Sequence, residues 1–456
     1  MKHYSKLSAG FGITVTAFAT LLFTACEKSF KPTSVAENNQ PENLRVTDKP
    51  NIIFILGDDI GYEIPSVNGG RSYATPNIDK LAREGMRFIQ CRSAPLCSPS
   101  RFMILTGKYN FRNYTIWGVM DRSQRTIGNM LKDAGYATCY AGKWQLDGGD
   151  QSIRTFGFDN YSVWCPFKQC PEDLEGSRYK GAKIYQDGGY LSSTITDSQY
   201  SEDHFTDYVM NFIDSNKSRP FFAYYAMILC HKAFSPTPDD PEYPAWLAEP
   251  GHSDTTFFPS MVKYMDKKIG LIVAKIKSLG LENNTIIVYV GDNGTQKEIT
   301  SLYKTITIQG QKGQTVEYGI HVPLICRWPG TIPAGSINSN LLDFTDFLPT
   351  LAGVANIPVP ATYGTLDGQT FYPQLTGTTG TPRNSVFCHF KPLLCSGNDK
   401  LFRYAQDNSY KLYDSGFFYR FTKDLTEANP LTDSLLTAKQ KKIKQNLQNV
   451  INTMHN

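Results

Sequence analysis

The stretch Asn51-Ile52-Ile53-Phe54-Ile55-Leu56-Gly57-Asp58-Asp59 decides the fold of this chain. Its unbroken apolar run predicts a strand that is buried on both faces, which is typical of a parallel sheet in an α/β protein. Asp58 and Asp59 follow this strand directly. Since ligands of parallel sheets bind beyond the carboxyl ends of the strands, the two aspartates are candidate binding residues.

Similar apolar runs recur along the chain and alternate with helical patterns. The predicted strands are Ile52–Leu56, Met86–Cys91, Ala137–Tyr140, Phe221–Met227, Thr285–Val290 and Leu324–Arg327. Apolar residues at four-three-four-three spacing predict a helix over Met265–Leu279. Further helices are predicted for His204–Asn216, for Phe344–Ala355 and behind Thr75-Pro76, with Thr75 as the cap. This alternation predicts an α/β fold with one large, mostly parallel sheet sandwiched by helices.

The composition changes around Asn356–Thr381, where Pro, Gly and Thr become frequent. We place the end of the main domain, 49–378, in this region and expect a small subdomain over 379–456. An antiparallel sheet followed by a helix over Ala438–Met454 is predicted there. Arg403 and His389 of this subdomain are candidates for contact with a substrate. The predicted strands of that sheet are Ser385–His389, Lys400–Ala405, Tyr410–Tyr413 and Phe417–Phe421.

The first 26 residues have the pattern of an export signal. Lysines near the start precede an apolar run, Phe11–Phe23, that is too short to span a bilayer comfortably. The run ends in Phe23-Thr24-Ala25-Cys26, which resembles a bacterial lipoprotein signal with Cys26 as the lipidated residue. The alternative is an ordinary secretory peptide cut near Ala25. Residues 27–48 are polar and predict a flexible tether, so we expect an exported protein that is lipid-anchored to a bacterial membrane, in the periplasm or at the cell surface.

Charge and cysteine content narrow the function classes. The chain has 46 basic and 42 acidic residues among 456, a net charge of +4 without a long basic run, which argues against nucleic acid as a partner. None of the cysteines has a zinc-site spacing. Export permits disulfides, and Cys165–Cys170 and Cys388–Cys395 are the candidate pairs. Cysteines within apolar strands are predicted to be buried thiols, namely Cys139, Cys230 and Cys326.

The segment Cys97-Ser98-Pro99-Ser100-Arg101, followed by Thr106-Gly107, places a guanidinium four residues after a potential nucleophile. An arginine can bind an anionic substrate group there with a planar fork of donors. The alternative is a buried structural cysteine beside a helix cap. The segment resembles the modification motif of the formylglycine-dependent sulfatases, arylsulfatase-like members of the alkaline phosphatase superfamily. Further blocks follow in the family's order: Thr75–Ala82, Gly142–Trp144, Gly291–Gly294 and Pro323–Gly330.

The resemblance implies a chemistry for Cys97. A maturation enzyme, the formylglycine-generating enzyme, would oxidise this residue to formylglycine (3-oxoalanine). One hydroxyl of the hydrated aldehyde would attack sulfur and displace the alcohol, and the other would then expel sulfate. The implied metal ligands are Asp58, Asp59, Asp292, Asn293 and the modified Cys97.

Oxygen ligands suit Ca²⁺ or Mg²⁺, and the resemblance favours Ca²⁺ over Mg²⁺. Each acidic pair taken alone can also be a turn or a helix cap, because Asp-Asn-Gly is a common turn sequence. Only the resemblance to the family therefore favours a metal site over two ordinary turns.

Four further residues receive roles from the same resemblance. Arg101 would hold the metal carboxylates in register, and Lys143 and Lys312 would bind the sulfate. The match of Lys312 is the less specific one, because Lys304 is near in sequence. His231 would protonate the leaving oxygen; otherwise it is a structural histidine at a strand end.

Gln145 departs from the family, which has histidine at this position. Glutamine can form hydrogen bonds but cannot act as a base near neutral pH. We therefore expect the sulfate pocket to persist and the release step to use another base or water, or to be slow.

The leading functional hypothesis is an enzyme that hydrolyses the sulfate ester of a sulfated carbohydrate. One alternative is a phosphonate or phosphodiester hydrolase of the same superfamily. Another is a degenerate homologue that binds glycans without catalysis, which the glutamine at position 145 suggests.

Overall fold

The computed structural model describes residues 49–167, 178–248, 253–392 and 400–454. The predicted signal (1–26) and tether (27–48) lie outside these residues, as do Cys170 and Cys395 of the two candidate disulfides. Within the described ranges, no helix has both the length and the apolar character that a membrane span requires.

The described chain alternates strands and helices along most of its length. The strands are β1 Asn51–Gly57, β2 Met86–Arg92, β3 Tyr114–Ile116, β4 Val119–Met120, β5 Ala137–Lys143, β6 Asn160–Trp164, β7 Ile184–Gln186, β8 Gly189–Tyr190, β9 Phe221–Ala226, β10 Thr285–Gly291, β11 Thr300–Tyr303, β12 Ile306–Gln309, β13 His321–Arg327, β14 Ser336–Asn338, β15 Leu342–Asp343, β16 Val386–Phe390, β17 Phe402–Gln406, β18 Lys411–Tyr413 and β19 Phe418–Tyr419. The helices are α1 Pro76–Glu84, α2 Cys97–Thr106, α3 Asn110–Asn113, α4 Ile127–Asp133, α5 Gly149–Thr155, α6 Ser193–Thr196, α7 Ser201–Asn216, α8 Tyr243–Ala248, α9 Phe258–Ser278, α10 Glu317–Ile320, α11 Phe347–Val354, α12 Tyr372–Leu375 and α13 Ala438–Thr453.

One large sheet organises the described residues, and the predicted fold class is confirmed. Along this sheet the strand order is β14-β2-β13-β10-β1-β9-β5-β6-β7-β8, and β15 also pairs with β2. The central strands β10, β1, β9, β5 and β6 are parallel to one another. Strand β13 runs antiparallel to both β10 and β2. The carboxyl ends of the five central strands therefore meet at one edge of the sheet.

Strand β1 lies in the middle of the sheet and is buried on both faces, as its apolar run predicts. Ile52, Phe54 and Leu56 point into one apolar cluster, to which α2, α4 and α11 contribute. Ile53 and Ile55 point into a second cluster, formed with α1, α7 and α9. The helices therefore cover both faces, because side chains alternate along a strand.

Helix α1 is capped differently from the prediction. Pro76 does occupy its first position and Thr75 precedes it, but the Thr75 side chain makes no capping hydrogen bond. The carboxylate of Asp266, on α9, instead accepts hydrogen bonds from the backbone N–H groups of Asn77 and Ile78. A tertiary contact thus satisfies the free donors of this helix, which local sequence alone does not reveal.

The C-terminal residues form a separate antiparallel sheet in the order β16-β17-β18-β19, with α13 packed on β17. Phe387, Ala405 and Leu447 of this part share the apolar cluster of the α2 face. The boundary near residue 378 stays a prediction, since the two parts are joined by this common core.

Gly142 allows β5 and β9 to approach closely just before Lys143. Its φ is +96°, and a Cβ atom at this position would lie 1.9 Å from the carbonyl oxygen of Ala226. Both conditions exclude a side chain, because the left-handed region disfavours L-residues and the contact is with backbone that cannot rotate away.

We expect Gly142→Ala to lower the free energy of unfolding by about 3 kcal/mol or more. Gly135→Ala is the matched control, since Gly135 also has a positive φ of +87°, but a Cβ atom there would have no heavy atom within 4 Å. That control should lose only about 1 kcal/mol. Urea unfolding followed by circular dichroism measures both values, and equal losses would show that the contact with Ala226 is not the cause.

Candidate active site

Three buried carboxylates meet at the carboxyl edge of the central strands. Asp58 and Asp59 follow β1, and Asp292 follows β10. Oxygen atoms of these three side chains lie within 4.8 Å of one another. The parallel pairing of β1 with β10 brings the two acidic segments together although they are more than 200 residues apart in the sequence.

Two cations from other elements form ion pairs with these carboxylates. Arg101, on α2, donates from Nη2 to Asp292 at 3.0 Å and from Nη1 to the carbonyl of Lys143 at 3.0 Å. Lys143, at the end of β5, donates from Nζ to Asp58 at 2.7 Å. One guanidinium therefore bridges the carboxylate of Asp292 and the backbone carbonyl of Lys143.

Asp59 is held from the other side by the segment after β10. Asn293 donates to one carboxylate oxygen of Asp59 at 2.8 Å, and Gln296 donates to the other at 2.7 Å. Lys312 donates to the second oxygen at 2.8 Å. Lys304, the alternative to Lys312, lies over the ring of Tyr303 instead.

The electrostatic environment differs sharply between the aspartates. Burial raises the pKa of Asp58, but Lys143, Arg101 and Lys312 outweigh it and lower this pKa to about 2. Burial and the neighbouring Asp58 raise the pKa of Asp292 to about 7, although Arg101 opposes them. The cluster therefore holds one firmly ionised carboxylate and one whose charge needs a further cation.

Cys97 is the first residue of α2 and is 2% exposed. Its thiol donates to the side-chain oxygen of Gln145 at 3.3 Å. Burial raises the pKa of this thiol, although Lys143 and Lys312 lower it. The unmodified side chain is thus a neutral thiol and a weak nucleophile.

His231 lies in the loop that follows β9, and its Nε2 is 3.7 Å from a carboxylate oxygen of Asp59. Nδ1 lies 2.5 Å from the carbonyl of Lys232, and since a carbonyl only accepts, Nδ1 carries the proton. Burial and the cations Arg178, Lys312 and Lys143 lower the pKa of His231 well below its usual value. The contact with Asp59 is therefore that of a neutral imidazole, with Nε2 free to gain a proton.

Comparisons with known proteins identify the family of this chain. The family model described as Sulfatase matches residues 50–357, and the model described as N-sulphoglucosamine sulphohydrolase, C-terminal, matches residues 311–455. The first match covers well over half of the 456 residues. The chain belongs to the sulfatase family. It is a hydrolase of that family, and the sequence-based recognition is confirmed.

This sulfatase is similar to proteins of known name and to solved structures. Arylsulfatase A of Bos taurus is 29% identical over 387 residues, which cover 75% of this chain and 71% of that protein. N-acetylgalactosamine-6-sulfatase of Canis lupus familiaris is 28% identical over 407 residues, covering 80% and 74%. A solved complex of another protein with its substrate D-glucosamine-2-N,6-O-disulfate has a TM-score of 0.71 at 23% identity, covering 88% of this chain and 97% of that one. The last likeness concerns the fold alone.

The candidate ligand atoms in this sulfatase fit the divalent cation that the family implies. All of them are oxygen atoms, which suits Ca²⁺ and Mg²⁺ better than zinc. One carboxylate oxygen of Asp58 and the side-chain oxygen of Asn293 are buried without a hydrogen-bond partner. Such atoms are costly unless a cation or water binds them, so both are candidate ligands beside Asp59 and Asp292.

A pocket of about 570 Å³ opens over Cys97, Gln145, His231 and Lys312 of this sulfatase. Phe390 and Phe402 of the C-terminal sheet also line it, together with Lys400, which precedes β17. Sequence reasoning pointed to the neighbours His389 and Arg403, neither of which lines this pocket; Arg403 pairs with Asp414. Strand alternation explains why Phe390 and Phe402 line the pocket and their neighbours do not, because adjacent residues on a strand face opposite sides.

Sequence reasoning missed further pocket residues. Gln296 was detectable, because it lies three residues after Asn293 in the segment that follows β10. Trp117 was not, because it lies between two short strands, β3 and β4, with no motif around it.

Proposed function

We propose that this sulfatase removes sulfate from a sulfated carbohydrate, using formylglycine at position 97 and a divalent cation, Ca²⁺ rather than Mg²⁺. One observation carries the proposal. Cys97 lines a pocket with Lys312 and feels the charges of Lys143, Asp58 and Asp292. Arg101, Lys143 and Lys312 each form an ion pair with one of the three buried carboxylates. The proposed metal ligands are Asp58, Asp59, Asp292, Asn293 and the modified side chain at 97.

The chain's own residues supply charge and orientation. Lys143 and Lys312 each have donors beyond the one that contacts a carboxylate, so each can also bind an anionic sulfate oxygen. Arg101 keeps Asp292 and the end of β5 at a fixed separation. Formylglycine hydrate supplies one hydroxyl that attacks sulfur and a second whose deprotonation expels sulfate. The chemistry that Ca²⁺ supplies when bound is polarisation of a sulfate oxygen.

His231 is the proposed donor of the proton to the leaving oxygen. Its Nδ1 is fixed by the carbonyl of Lys232, so Nε2 is the atom that takes up and gives the proton. An anionic ester bound between Lys143 and Lys312 raises the pKa of a nearby imidazole, because a negative charge favours the imidazolium. The free site therefore holds a neutral histidine, and substrate binding favours the acid form.

The pocket walls favour a sugar as the alcohol part of the ester. Trp117, Phe390 and Phe402 offer apolar ring surfaces, and Lys400 lies over the ring of Phe402 at 5.1 Å from its centroid. Aromatic rings stack on the apolar faces of sugars, and lysines bind their anionic substituents. N-acetylgalactosamine-6-sulfatase, to which the chain is similar, carries a sulfated sugar in its name.

The matured protein should hydrolyse 4-nitrophenyl sulfate faster than 4-nitrophenyl phosphate. We expect chelation with EDTA to abolish the activity and Ca²⁺ to restore more of it than Mg²⁺. Mass spectrometry of the tryptic peptide that spans Cys97 should show the aldehyde. Cys97→Ala should lower kcat at least 1,000-fold, roughly the combined loss of a nucleophile and its activation.

Three outcomes would contradict this proposal. A preference for the phosphate ester would favour the phosphonate or phosphodiester alternative. Glycan binding without sulfate release from a fully converted protein would favour the non-catalytic one. Full activity with an unconverted thiol would exclude formylglycine as the nucleophile.

Gln145 can orient the side chain at 97 but cannot take its proton, so sulfate release should limit turnover. We expect Gln145→His to raise kcat about tenfold with little change in KM, because an imidazole can act as the base. Histidine tolerates the positive φ of 51° at this position better than most residues do. Gln145→Ala, which removes only the acceptor, is the control, and a histidine variant with unchanged kinetics would refute a role for this position.

We also propose that the protein is exported and lipid-anchored through Cys26, which the signal-like first 26 residues support. Expressed in a bacterium, the wild type should enter the detergent phase of a Triton X-114 partition. Cys26→Ala should remain in the aqueous phase or keep its signal. Partition of both proteins into the aqueous phase at the mature length would favour an ordinary secretory signal.

A further inference from the structure

Glu202 is a fully buried carboxylate that lies outside the acidic cluster. It belongs to the first turn of α7, and one of its oxygens accepts hydrogen bonds from the backbone N–H groups of Ile228 and Leu229, at 3.0 and 3.1 Å. Its other oxygen accepts from the hydroxyl of Tyr225. Among the described residues, no lysine, arginine or histidine forms an ion pair with it within 4.0 Å. Burial without a counter-ion is unfavourable for a carboxylate. The stabilising contacts of Glu202 are therefore its hydrogen bonds, two of which hold the backbone of Ile228 and Leu229.

The segment that Glu202 holds leads directly to His231. Leu229 accepts a hydrogen bond from the N–H of Asp58 at 2.9 Å, and the N–H of Cys230 donates to the carbonyl of Asp58 at 2.7 Å. The segment 228–231 therefore lies between Glu202 on one side and the first metal-ligand candidate on the other. Tyr179 adds a hydrogen bond from its hydroxyl to the carbonyl of His231.

We infer that Glu202 is a positioning residue for the proton transfer by His231. This inference rests on the proposed function. His231 lies beyond the end of β9 and has no strand partner, so its position depends on the contacts of the segment 228–231. Asp58 depends on them less, because it follows β1 directly and its carboxylate is also bound by Lys143.

This difference gives the inference a distinctive kinetic signature. A weakly basic leaving group such as 4-nitrophenolate needs little protonation, whereas phenolate needs more. Loss of the histidine's position should therefore slow the hydrolysis of phenyl sulfate more than that of 4-nitrophenyl sulfate. A general loss of folding or of the metal site would slow both esters by the same factor.

The experiment compares kcat/KM for the two esters in matured protein with Ca²⁺ present. We expect Glu202→Ala to lower the value for phenyl sulfate about tenfold more than the value for 4-nitrophenyl sulfate. Glu202→Gln should restore most of the difference, because the amide oxygen can still accept from both backbone N–H groups. Glu202→Asp keeps the charge but shortens the side chain by one methylene. It should also slow phenyl sulfate more than 4-nitrophenyl sulfate, by a smaller factor than alanine does, and it replaces the alanine variant if that variant does not fold.

Asp266→Ala is the matched control. Asp266 is also a buried carboxylate that accepts from two backbone N–H groups, but those groups belong to α1, which it caps, and not to the segment 228–231. Its loss should lower Tm and leave the ratio of the two esters at the wild-type value. Equal factors for both esters in the Glu202 variants, or a glutamine variant as impaired as alanine, would overturn the inference alone. A converted wild type that hydrolyses neither ester would refute the proposed function and this inference with it.

Discussion

The site depends on keeping three carboxylates together in a volume that excludes water. With oxygen atoms within 4.8 Å, each pair of charges repels by about 3 kcal/mol at an effective dielectric constant of about 20. Arg101, Lys143 and Lys312 offset this repulsion, and each does so from a different element. The pKa values of Asp58 and Asp292 differ because Lys143 pairs with Asp58, whereas burial and the charge on Asp58 raise the pKa of Asp292. A divalent cation is the natural partner of such a cluster.

The strand order explains how one edge of the sheet gathers so many functional groups. β10, β1, β9 and β5 are neighbours in that order and run in parallel. Their carboxyl ends supply Asp292, Asp58, His231 and Lys143 in turn. Each of these residues follows an apolar run that the sequence displays, so their common location could be predicted. A single strand does not reveal which strands lie beside it. The family resemblance implied that these residues share one site, but the order of the strands came from the structure.

Other parts of the site could not be predicted, for physical reasons. Phe390 and Phe402 lie in a second sheet, and only tertiary packing brings them to the pocket over Cys97. Asp266 replaces Thr75 as the cap of α1 through a contact across nearly 190 residues. In the sequence, Glu202 resembles an ordinary acidic residue in the first turn of a helix, where the helix dipole stabilises a negative charge. Its burial and its two backbone donors become apparent only when α7 packs beside the loop after β9.

Gln145 limits which side chain can take a proton beside position 97. Its amide oxygen accepts from the Cys97 thiol at 3.3 Å, so it can orient a hydroxyl there, but an amide does not hold a proton near neutral pH. Of the described residues that line the pocket, His231 has the one imidazole. In the proposed mechanism, the ring is neutral once Nε2 has given its proton to the leaving oxygen, and it can then accept a proton from the second hydroxyl. A single histidine can then serve both half-reactions, provided that its loop is held as firmly as the contacts of Glu202 hold it.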